Sequence, residues 1–241
     1  MFARMELSVV VPVHDEAPNI PLLVAELCQA LDGLVDAELI VVNDGSEDDT
    51  LARLKEARVL HPGLRIVHHQ HNAGQSAALW SGAQAARGRW LATLDGDLQN
   101  DPADLLRLQA AVLGDPGLDL VVGHRRARND DWLRRVSSRT ANTVRRFLLG
   151  DDTPDTGCGL KLVRRSTFLA LPYFDHMHRF LPALVLRAGG RVRSVPVGHR
   201  PRVAGRSHYG VFDRLWVGIV DLVGVAWLQR RKHRCRAVEE L

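Results

Sequence analysis

The chain has 241 residues, of which 46% are hydrophobic and 25% are charged. These values are ordinary for a globular protein, and the length fits one α/β domain with a short appendage. Three cysteines, odd in number and far apart, give neither a disulfide framework nor a CxxC metal site, which favours a reducing, cytoplasmic compartment. Residues 5–12 already form a strand pattern, so no signal peptide is expected.

The net charge of +4 is concentrated near the C-terminus. Residues 230–236 hold five Lys and Arg side chains, and without them the rest of the chain has a net charge of −1. The basic character therefore belongs to a tail, which argues against a nucleic-acid-binding face. A second cluster, from Arg125 to Arg146, holds eight arginines, and by itself it fits a solvated helix face as well as a binding site.

Short β-branched runs alternate with helical stretches in the first half of the chain. Five strands are predicted, over Leu7–Val13, Glu38–Val42, Arg65–His69, Trp90–Leu94 and Leu118–Val122. Helices are predicted over Pro21–Leu31, from Asp48 to about Leu60, over Ser76–Ala86, and from Asp101 onward. Strands separated by helices imply right-handed crossovers, so the fold class is α/β with a mostly parallel sheet flanked by helices.

The second half is less regular. Its predicted elements are an Arg-rich helix over Trp132–Leu149, a strand over Lys161–Val163, a helix over His178–Ala188 and a strand over Arg191–Val197. A polar loop, Gly198–Gly210, comes next, and an apolar helix over Val211–Leu228 follows it. We therefore expect a catalytic domain at 1–210 and a membrane-interface helix with a basic tail at 211–241.

Two carboxylates, Asp95 and Asp97, stand one residue apart where a predicted strand ends. Like charges at that distance repel, and a divalent cation such as Mg²⁺ or Mn²⁺ removes the repulsion by binding both carboxylates together with diphosphate oxygens. Gly96 lets the backbone approach closely, and Gln99 adds a neutral oxygen. Because ligands of parallel sheets bind at the carboxyl ends of strands, the placement favours a site over an ordinary acidic turn.

Asp44 also follows a predicted strand and would accept hydrogen bonds from a base or a ribose. Glu16 lies after the first strand and would hold a ribose hydroxyl. Both positions also fit a structural interpretation as strand exits and helix caps.

Four segments in order resemble family 2 glycosyltransferases of the GT-A fold. They are Val-Val-Val-Pro-Val-His-Asp-Glu at 9–16, Asn-Asp-Gly-Ser-Glu-Asp-Asp-Thr at 43–50, His-Asn-Ala-Gly-Gln-Ser-Ala-Ala-Leu at 71–79 and Asp-Gly-Asp-Leu-Gln at 95–99. Three later segments, at 155–161, 178–182 and 202–210, are similar to the polyprenyl-phosphate branch typified by dolichol-phosphate mannose synthase. His208 departs from the pattern, since relatives commonly have lysine there.

The resemblance implies roles for particular residues. The implied metal ligands are Asp95, Asp97 and Gln99. The implied nucleotide-sugar contacts are Pro12, Val13, Glu16, Asp44, Asp95, Gly96, Ser207 and His208. Arg202 and Asp97 would be catalytic, with Arg202 stabilising charge on the leaving diphosphate. The candidates for the acceptor phosphate are Arg125, Arg135 and Ser138.

The expected reaction moves a sugar, with inversion, from GDP-mannose or a UDP-sugar to a polyprenyl phosphate at the cytoplasmic face of the membrane. The 211–228 run is just short of a bilayer core and carries Asp221 near its middle, so we expect it to lie in the membrane interface rather than to span it. A buried core helix or a dimer interface is the alternative for that run. A separate membrane protein is a hypothetical partner.

Two other functions stay open at this point. A family 2 transferase acting on a polysaccharide or another hydroxyl acceptor would need a base near C1 and would not need the arginine cluster. A catalytically silent nucleotide-binding protein would not need the complete Asp95, Asp97 and Gln99 set.

Overall fold

A computed structural model describes residues 6–32, 34, 36–125, 145–201 and 211–231, with side chains of the last range described from residue 217. Seven strands form one sheet in the order β3-β2-β1-β4-β6-β5-β7. The strands are β1 (Leu7–Val13), β2 (Ala37–Asp44), β3 (Leu64–His69), β4 (Trp90–Thr93), β5 (Leu120–Arg125), β6 (Lys161–Arg164) and β7 (Val192–Val197). The α/β sequence prediction is confirmed.

Helices cover the sheet on both faces. They are α1 (Ile20–Leu31), α2 (Thr50–Leu60), α3 (Gln75–Ala85), α4 (Leu105–Gly114), α5 (Arg165–Ala170), α6 (Leu181–Arg187) and α7 (Val211–Arg230), and residues 145–149 are also helical. Short 3₁₀ turns occupy Pro102–Asp104 and Met177–Arg179. The first turn comes just before α4, and the second comes just before α6, so the predicted helix over His178–Ala188 begins as a separate turn.

Two apolar clusters form the core. One contains Val9, Val11 and Leu27 on the face covered by α1 and α4, and the other contains Val10, Ile40 and Leu79 on the face covered by α3. Because successive residues of β1 point to opposite faces, its unbroken run of valines fills both clusters at once. This explains why β1 is continuously apolar rather than alternating.

The sequence prediction was incomplete in two places. The strand β6 runs antiparallel to both β4 and β5, whereas the other strand pairs are parallel. The six-residue helix α5 was not predicted, because it is shorter than two helical turns and carries too little periodicity to detect. The reversal of β6 matters for function, since it brings the 155–161 segment to the end of β4.

The C-terminal helix α7 packs one side on the domain. Val225 is buried, and Gln229 donates to the main-chain oxygens of Leu149 and Ala183. Ile219, Val220, Val223 and Trp227 are exposed. Within the described part of the chain, no helix is both long enough and apolar enough to cross a bilayer. The domain division at residue 210 stays a prediction.

Candidate active site

The acidic turn Asp95–Gln99 follows β4 at the centre of the sheet. It lies next to the end of β1, which is the neighbour of β4 on one side. Asp97 is 9% exposed. Burial raises the pKa of Asp95 above its ordinary value, and the negative charge of Asp97 raises it further. Two carboxylates of like charge therefore lie close together here, Asp97 buried and Asp95 partly buried, as the sequence predicts.

Hydrogen bonds and one strained residue give the turn its shape. Asn100 Oδ1 accepts from the Asp95 N–H at 3.3 Å, and Asp97 Oδ1 accepts from the Gln99 N–H at 3.2 Å. Leu98 has a φ of +62°, a left-handed conformation that costs a non-glycine residue roughly 1–2 kcal/mol. Such strain is typical of functional turns, and here the conformation of Leu98 brings the Gln99 main-chain N–H to the Asp97 carboxylate.

Gly96 allows the turn to approach the end of β1. A Cβ atom at this position would lie 2.6 Å from Val13 Cγ1 and 3.0 Å from the carbonyl oxygen of Pro12, so a side chain does not fit. Pro12, Val13 and Gly96, all predicted to contact the nucleotide sugar, are thus in direct proximity. Their contact with a nucleotide stays a prediction.

Three residues from other segments surround the Asp95 carboxylate. Gln75, the first residue of α3, donates from Nε2 to Asp95 Oδ1 at 2.8 Å. Gly159 packs against the same group so closely that a Cβ there would lie 2.2 Å from Asp95 Oδ2. Lys161 is fully buried nearby, donates to the main-chain oxygen of Cys158 and contributes a positive charge that favours ionised Asp95.

Arg125, predicted to hold the acceptor phosphate, makes a buried ion pair. Its Nε and Nη2 donate to the two carboxylate oxygens of Asp155 at 2.7 and 2.9 Å. The side chains are 11% and 8% exposed, so the pair is well shielded from solvent. This bidentate geometry leaves Nη1 of Arg125 outside the Asp155 contact and fixes the plane of the guanidinium.

Asp44 is buried at the end of β2, and both of its oxygens accept hydrogen bonds within the protein. Oδ2 accepts from the Gly74 N–H at 2.8 Å, while Oδ1 accepts from the Ala73 N–H at 3.0 Å and lies 2.7 Å from His69 Nδ1. Asp44 therefore ties the end of β2 to the loop that leads into α3. Its predicted role in the nucleoside pocket stays a prediction.

Glu16 lies in the loop after β1 and is tied to the start of α2. Its N–H donates to Thr50 Oγ1 at 2.9 Å, and its carboxylate accepts from Asn19. Asp15 Oδ1 accepts from the Glu47 N–H in the same region. The loops after β1 and β2 thus form one connected surface beside the acidic turn.

Five predicted site residues lie outside the described residues: Arg135, Ser138, Arg202, Ser207 and His208. The chain that leads to the last three is anchored on the acidic turn. The Arg200 N–H donates to the Gln99 carbonyl oxygen at 2.9 Å, and its guanidinium contacts Glu26 and Asp101 at 2.7 and 3.0 Å. Arg200, two residues before that segment in the sequence, is thereby held next to Gln99.

Sequence reasoning assigned no role to Gln75, Asp155, Gly159 or Lys161. These residues lie in the 71–79 and 155–161 segments, which were noted only as a resemblance. The positive charge of Lys161 at the start of a predicted strand was the available signal, because a buried lysine needs an acidic partner.

The profile of glycosyl transferase family 2 matches residues 8–171. The chain belongs to glycosyl transferase family 2.

Two curated members of the family are similar along most of this chain. A dodecaprenyl-phosphate galacturonate synthase of Rhizobium johnstonii is 39% identical over 236 residues, which is 95% of this chain and 69% of that protein. An undecaprenyl-phosphate 4-deoxy-4-formamido-L-arabinose transferase of Aeromonas hydrophila is 33% identical over 207 residues, 85% of this chain and 63% of that protein. The family 2 chain thus spans about two thirds of the length of these relatives.

Two solved structures share the fold. Glucosyl-3-phosphoglycerate synthase from Mycobacterium tuberculosis, in complex with Mn²⁺, UDP-glucose and glycerol 3-phosphate, has a TM-score of 0.70 at 23% identity and covers 93% of this chain and 80% of its own. Mannosyl-3-phosphoglycerate synthase from Rubrobacter xylanophilus has a TM-score of 0.74 at 18% identity, with 98% and 78% covered. At these identities the comparison shows the fold alone. It is the GT-A fold that the sequence resemblance implies.

The contact between Gly159 and Asp95 generates a prediction. We expect Gly159→Ala to displace the Asp95 carboxylate, because the added methyl group would overlap it. A displacement of about 1 Å lowers transferase activity by about a hundredfold. Steady-state assays with nucleotide sugar measure this loss.

The matched control is Gly157→Ala in the same segment, where an added Cβ would meet Arg125 Nη2 at an ordinary 3.6 Å. We expect that variant to stay within about threefold of the wild-type rate, as ordinary van der Waals contacts are tolerated. Equal activities for the two variants would show that the Asp95 position does not depend on Gly159.

Proposed function

We propose that this chain transfers a sugar from a nucleotide sugar to a polyprenyl phosphate at the cytoplasmic face of the membrane. The observation that carries the proposal is the similarity over 236 residues to a dodecaprenyl-phosphate galacturonate synthase, in a chain that brings Asp95 and Asp97 together at the carboxyl end of β4. The donors we carry forward are GDP-mannose and UDP-sugars.

The residues of the acidic turn fit a divalent cation. Asp95 and Asp97 supply carboxylate oxygens, and Gln99 supplies an amide oxygen, which are the ligand types that Mg²⁺ and Mn²⁺ take. No group of three or more His, Cys, Asp or Glu side chains in the described ranges is arranged to hold a metal by itself. We therefore infer that the two carboxylates need the diphosphate of the donor to complete the coordination shell.

A bound cation would neutralise charge that develops on the leaving diphosphate. The protein's own contribution is to hold the two carboxylates close together: Gln75 holds one oxygen of Asp95, and Asn100 holds the main chain of the turn. Arg202, which follows the anchored Arg200 by two residues, is our candidate for a second positive charge at the diphosphate. Preorganised charges of this kind stabilise a leaving group without a proton transfer.

The acceptor needs little activation. A phosphate monoester has a second pKa near 6, so it is mostly dianionic at pH 7 and attacks C1 without a general base. Attack from the face opposite the diphosphate inverts the configuration at C1. Arg125, with its plane fixed by Asp155, would present Nη1 to this phosphate, and Arg135 and Ser138 remain candidate contacts.

We further propose that α7 lies on the membrane surface. Its exposed residues Ile219, Val220, Val223 and Trp227 form an apolar face, and residues 230–236 add five Lys and Arg side chains next to it. Apolar insertion combined with basic residues favours a surface rich in anionic lipids. A water-insoluble acceptor gives such binding a function, and a separate membrane protein partner stays a hypothesis.

A direct assay tests the proposed reaction. Purified protein with Mn²⁺ or Mg²⁺ and undecaprenyl phosphate is supplied with labelled GDP-mannose, UDP-glucose or UDP-galacturonate. We expect one donor to give a lipid-linked sugar, with inverted configuration at C1 by NMR. Asp97→Ala should lower the rate by at least about a hundredfold, since it removes a ligand at the transferring group.

Failure of every donor to yield a lipid-linked product would contradict the proposal. A product on a hydroxyl acceptor in place of the lipid phosphate would support the alternative family 2 activity. Full activity in Asp97→Ala would favour a silent nucleotide-binding protein.

Vesicle binding tests the membrane proposal. We expect the double variant Val223→Ser/Trp227→Ser to bind phosphatidylglycerol vesicles at least about tenfold more weakly, since burying one such side chain is worth about 1.5–3 kcal/mol. Sedimentation with vesicles measures the change. Val59→Ser/Leu60→Ser, at the end of α2 where both side chains are even more exposed, is the control, and equal loss in both double variants would contradict a specific role for α7.

A further inference from the structure

Asp221 lies in the middle of the apolar helix α7 and faces the domain. Its side chain is 17% exposed, whereas Val220 and Val223 beside it are 53% and 61% exposed. Asp221 Oδ2 is shielded from solvent and accepts no hydrogen bond from the described residues, and His176 Nδ1 lies 3.1 Å away, within ion-pair distance. A shielded carboxylate is costly without an opposite charge nearby, and the His176 ring is the group at ion-pair distance from this oxygen.

His176 belongs to the turn between α5 and α6, residues 175–179, which we call the bridging turn. His176 has a φ of +62°, a left-handed backbone conformation that is unfavourable for a residue other than glycine. Its N–H donates to Asp175 Oδ1. Contacts elsewhere must hold the turn in this conformation, and the Asp221 carboxylate provides one of them.

The other end of the bridging turn contacts the start of α3. Ser76 Oγ lies 2.8 Å from His178 Nδ1, and the His178 N–H points to the same oxygen at 3.4 Å. Burial lowers the pKa of His178 well below its ordinary value, and the charge of Lys161 lowers it further, so the ring is neutral at pH 7. Asp175 also packs 3.4 Å from the position that a Cβ of Gly74 would occupy.

The residue before Ser76 is Gln75, which donates to Asp95 at 2.8 Å. A continuous series of contacts therefore joins α7 to the acidic turn: Asp221 to His176, the bridging turn to Ser76, and Gln75 to Asp95. The polar contacts in the series are 2.8–3.1 Å long, the bridging turn joins His176 to His178, and the residues at both ends of the series are partly buried.

We propose that Asp221 is a positioning residue that acts through His176 and the bridging turn to hold Gln75 on Asp95. The helix that we place on the membrane would then also support the metal site, so that seating α7 on the domain and assembling the donor site are coupled. This inference rests on the proposed function only in taking Asp95 as a metal ligand.

Binding of Mn²⁺ with UDP or GDP, measured by calorimetry on the full chain without lipid, tests the proposal. We expect Asp221→Leu to weaken this binding about three- to tenfold, because loss of supporting contacts around metal ligands typically costs 10- to 100-fold and this contact is more remote. Thermal unfolding is measured alongside, because removing one partner of a buried charge contact destabilises a fold and binding must be compared at a temperature where both proteins are folded.

A second variant separates positioning from folding. Asp221→Asn keeps the size and polarity of the side chain beside His176 but removes its charge, so we expect its binding to lie between that of the wild type and that of Asp221→Leu even if the leucine variant unfolds early. His176→Ala should weaken binding as Asp221→Leu does, and the double variant should be no worse than either single one, as expected for two residues in one pathway.

The matched control is Val223→Ser/Trp227→Ser on the exposed face of the same helix. It should bind Mn²⁺ with the nucleotide like the wild type while losing vesicle binding, and Asp221→Leu should show the reverse pattern. The coupling would be overturned if Asp221→Leu bound Mn²⁺ with the nucleotide as tightly as the wild type does. It would also be overturned if the losses of Asp221→Leu and His176→Ala added up in the double variant. Neither result depends on whether a lipid-linked product forms.

Discussion

The repulsion between Asp95 and Asp97 is the constraint on which the site depends. The two carboxylates stand one residue apart at a strand end, and burial together with the negative charge of Asp97 raises the pKa of Asp95. The surrounding structure offsets this rise with the amide of Gln75 and the buried charge of Lys161. Arg125 also favours ionised Asp95, and a divalent cation with its diphosphate would add positive charge at the two carboxylates themselves.

The reversed strand β6 explains how distant parts of the sequence reach this turn. Because β6 runs antiparallel to β4, Lys161 pairs with Thr93, and the 155–160 segment lies beyond the end of β4. Gly159 then packs on Asp95, and Asp155 reaches Arg125 at the end of β5. One change of strand direction thus places the acidic turn and the Arg125–Asp155 ion pair at the same edge of the sheet.

Much of the fold follows from the sequence, because β1 to β5 and their helices carry strong periodicity and clear turn residues. The position of Asp95 and Asp97 at a strand end followed from the same pattern. The partners of those residues could not be predicted, since Gln75, Gly159 and Lys161 are brought to the turn by tertiary contacts between residues 20 to 66 positions apart. The direction of β6 was equally hidden, as a four-residue strand gives no signal of its orientation.

The role of Asp221 in seating α7 also could not be predicted from the sequence. In the sequence it is an unfavourable charge in an apolar run, and its cost in a bilayer argues only against a spanning helix. In the structure it faces inward and meets His176, which leaves the outward face apolar. One residue thereby accounts for both the seating of α7 and the character of its exposed face.

The central claim is that Asp95 and Asp97 form a cation site that a diphosphate completes, and Mn²⁺ titration followed by electron paramagnetic resonance tests it most directly. We predict weak Mn²⁺ binding to the protein alone, binding at least about tenfold tighter with UDP or GDP, and loss of that gain in Asp97→Asn but not in Asp101→Asn. Mn²⁺ binding that is equally tight without a nucleotide, or a gain that survives in Asp97→Asn, would contradict the account.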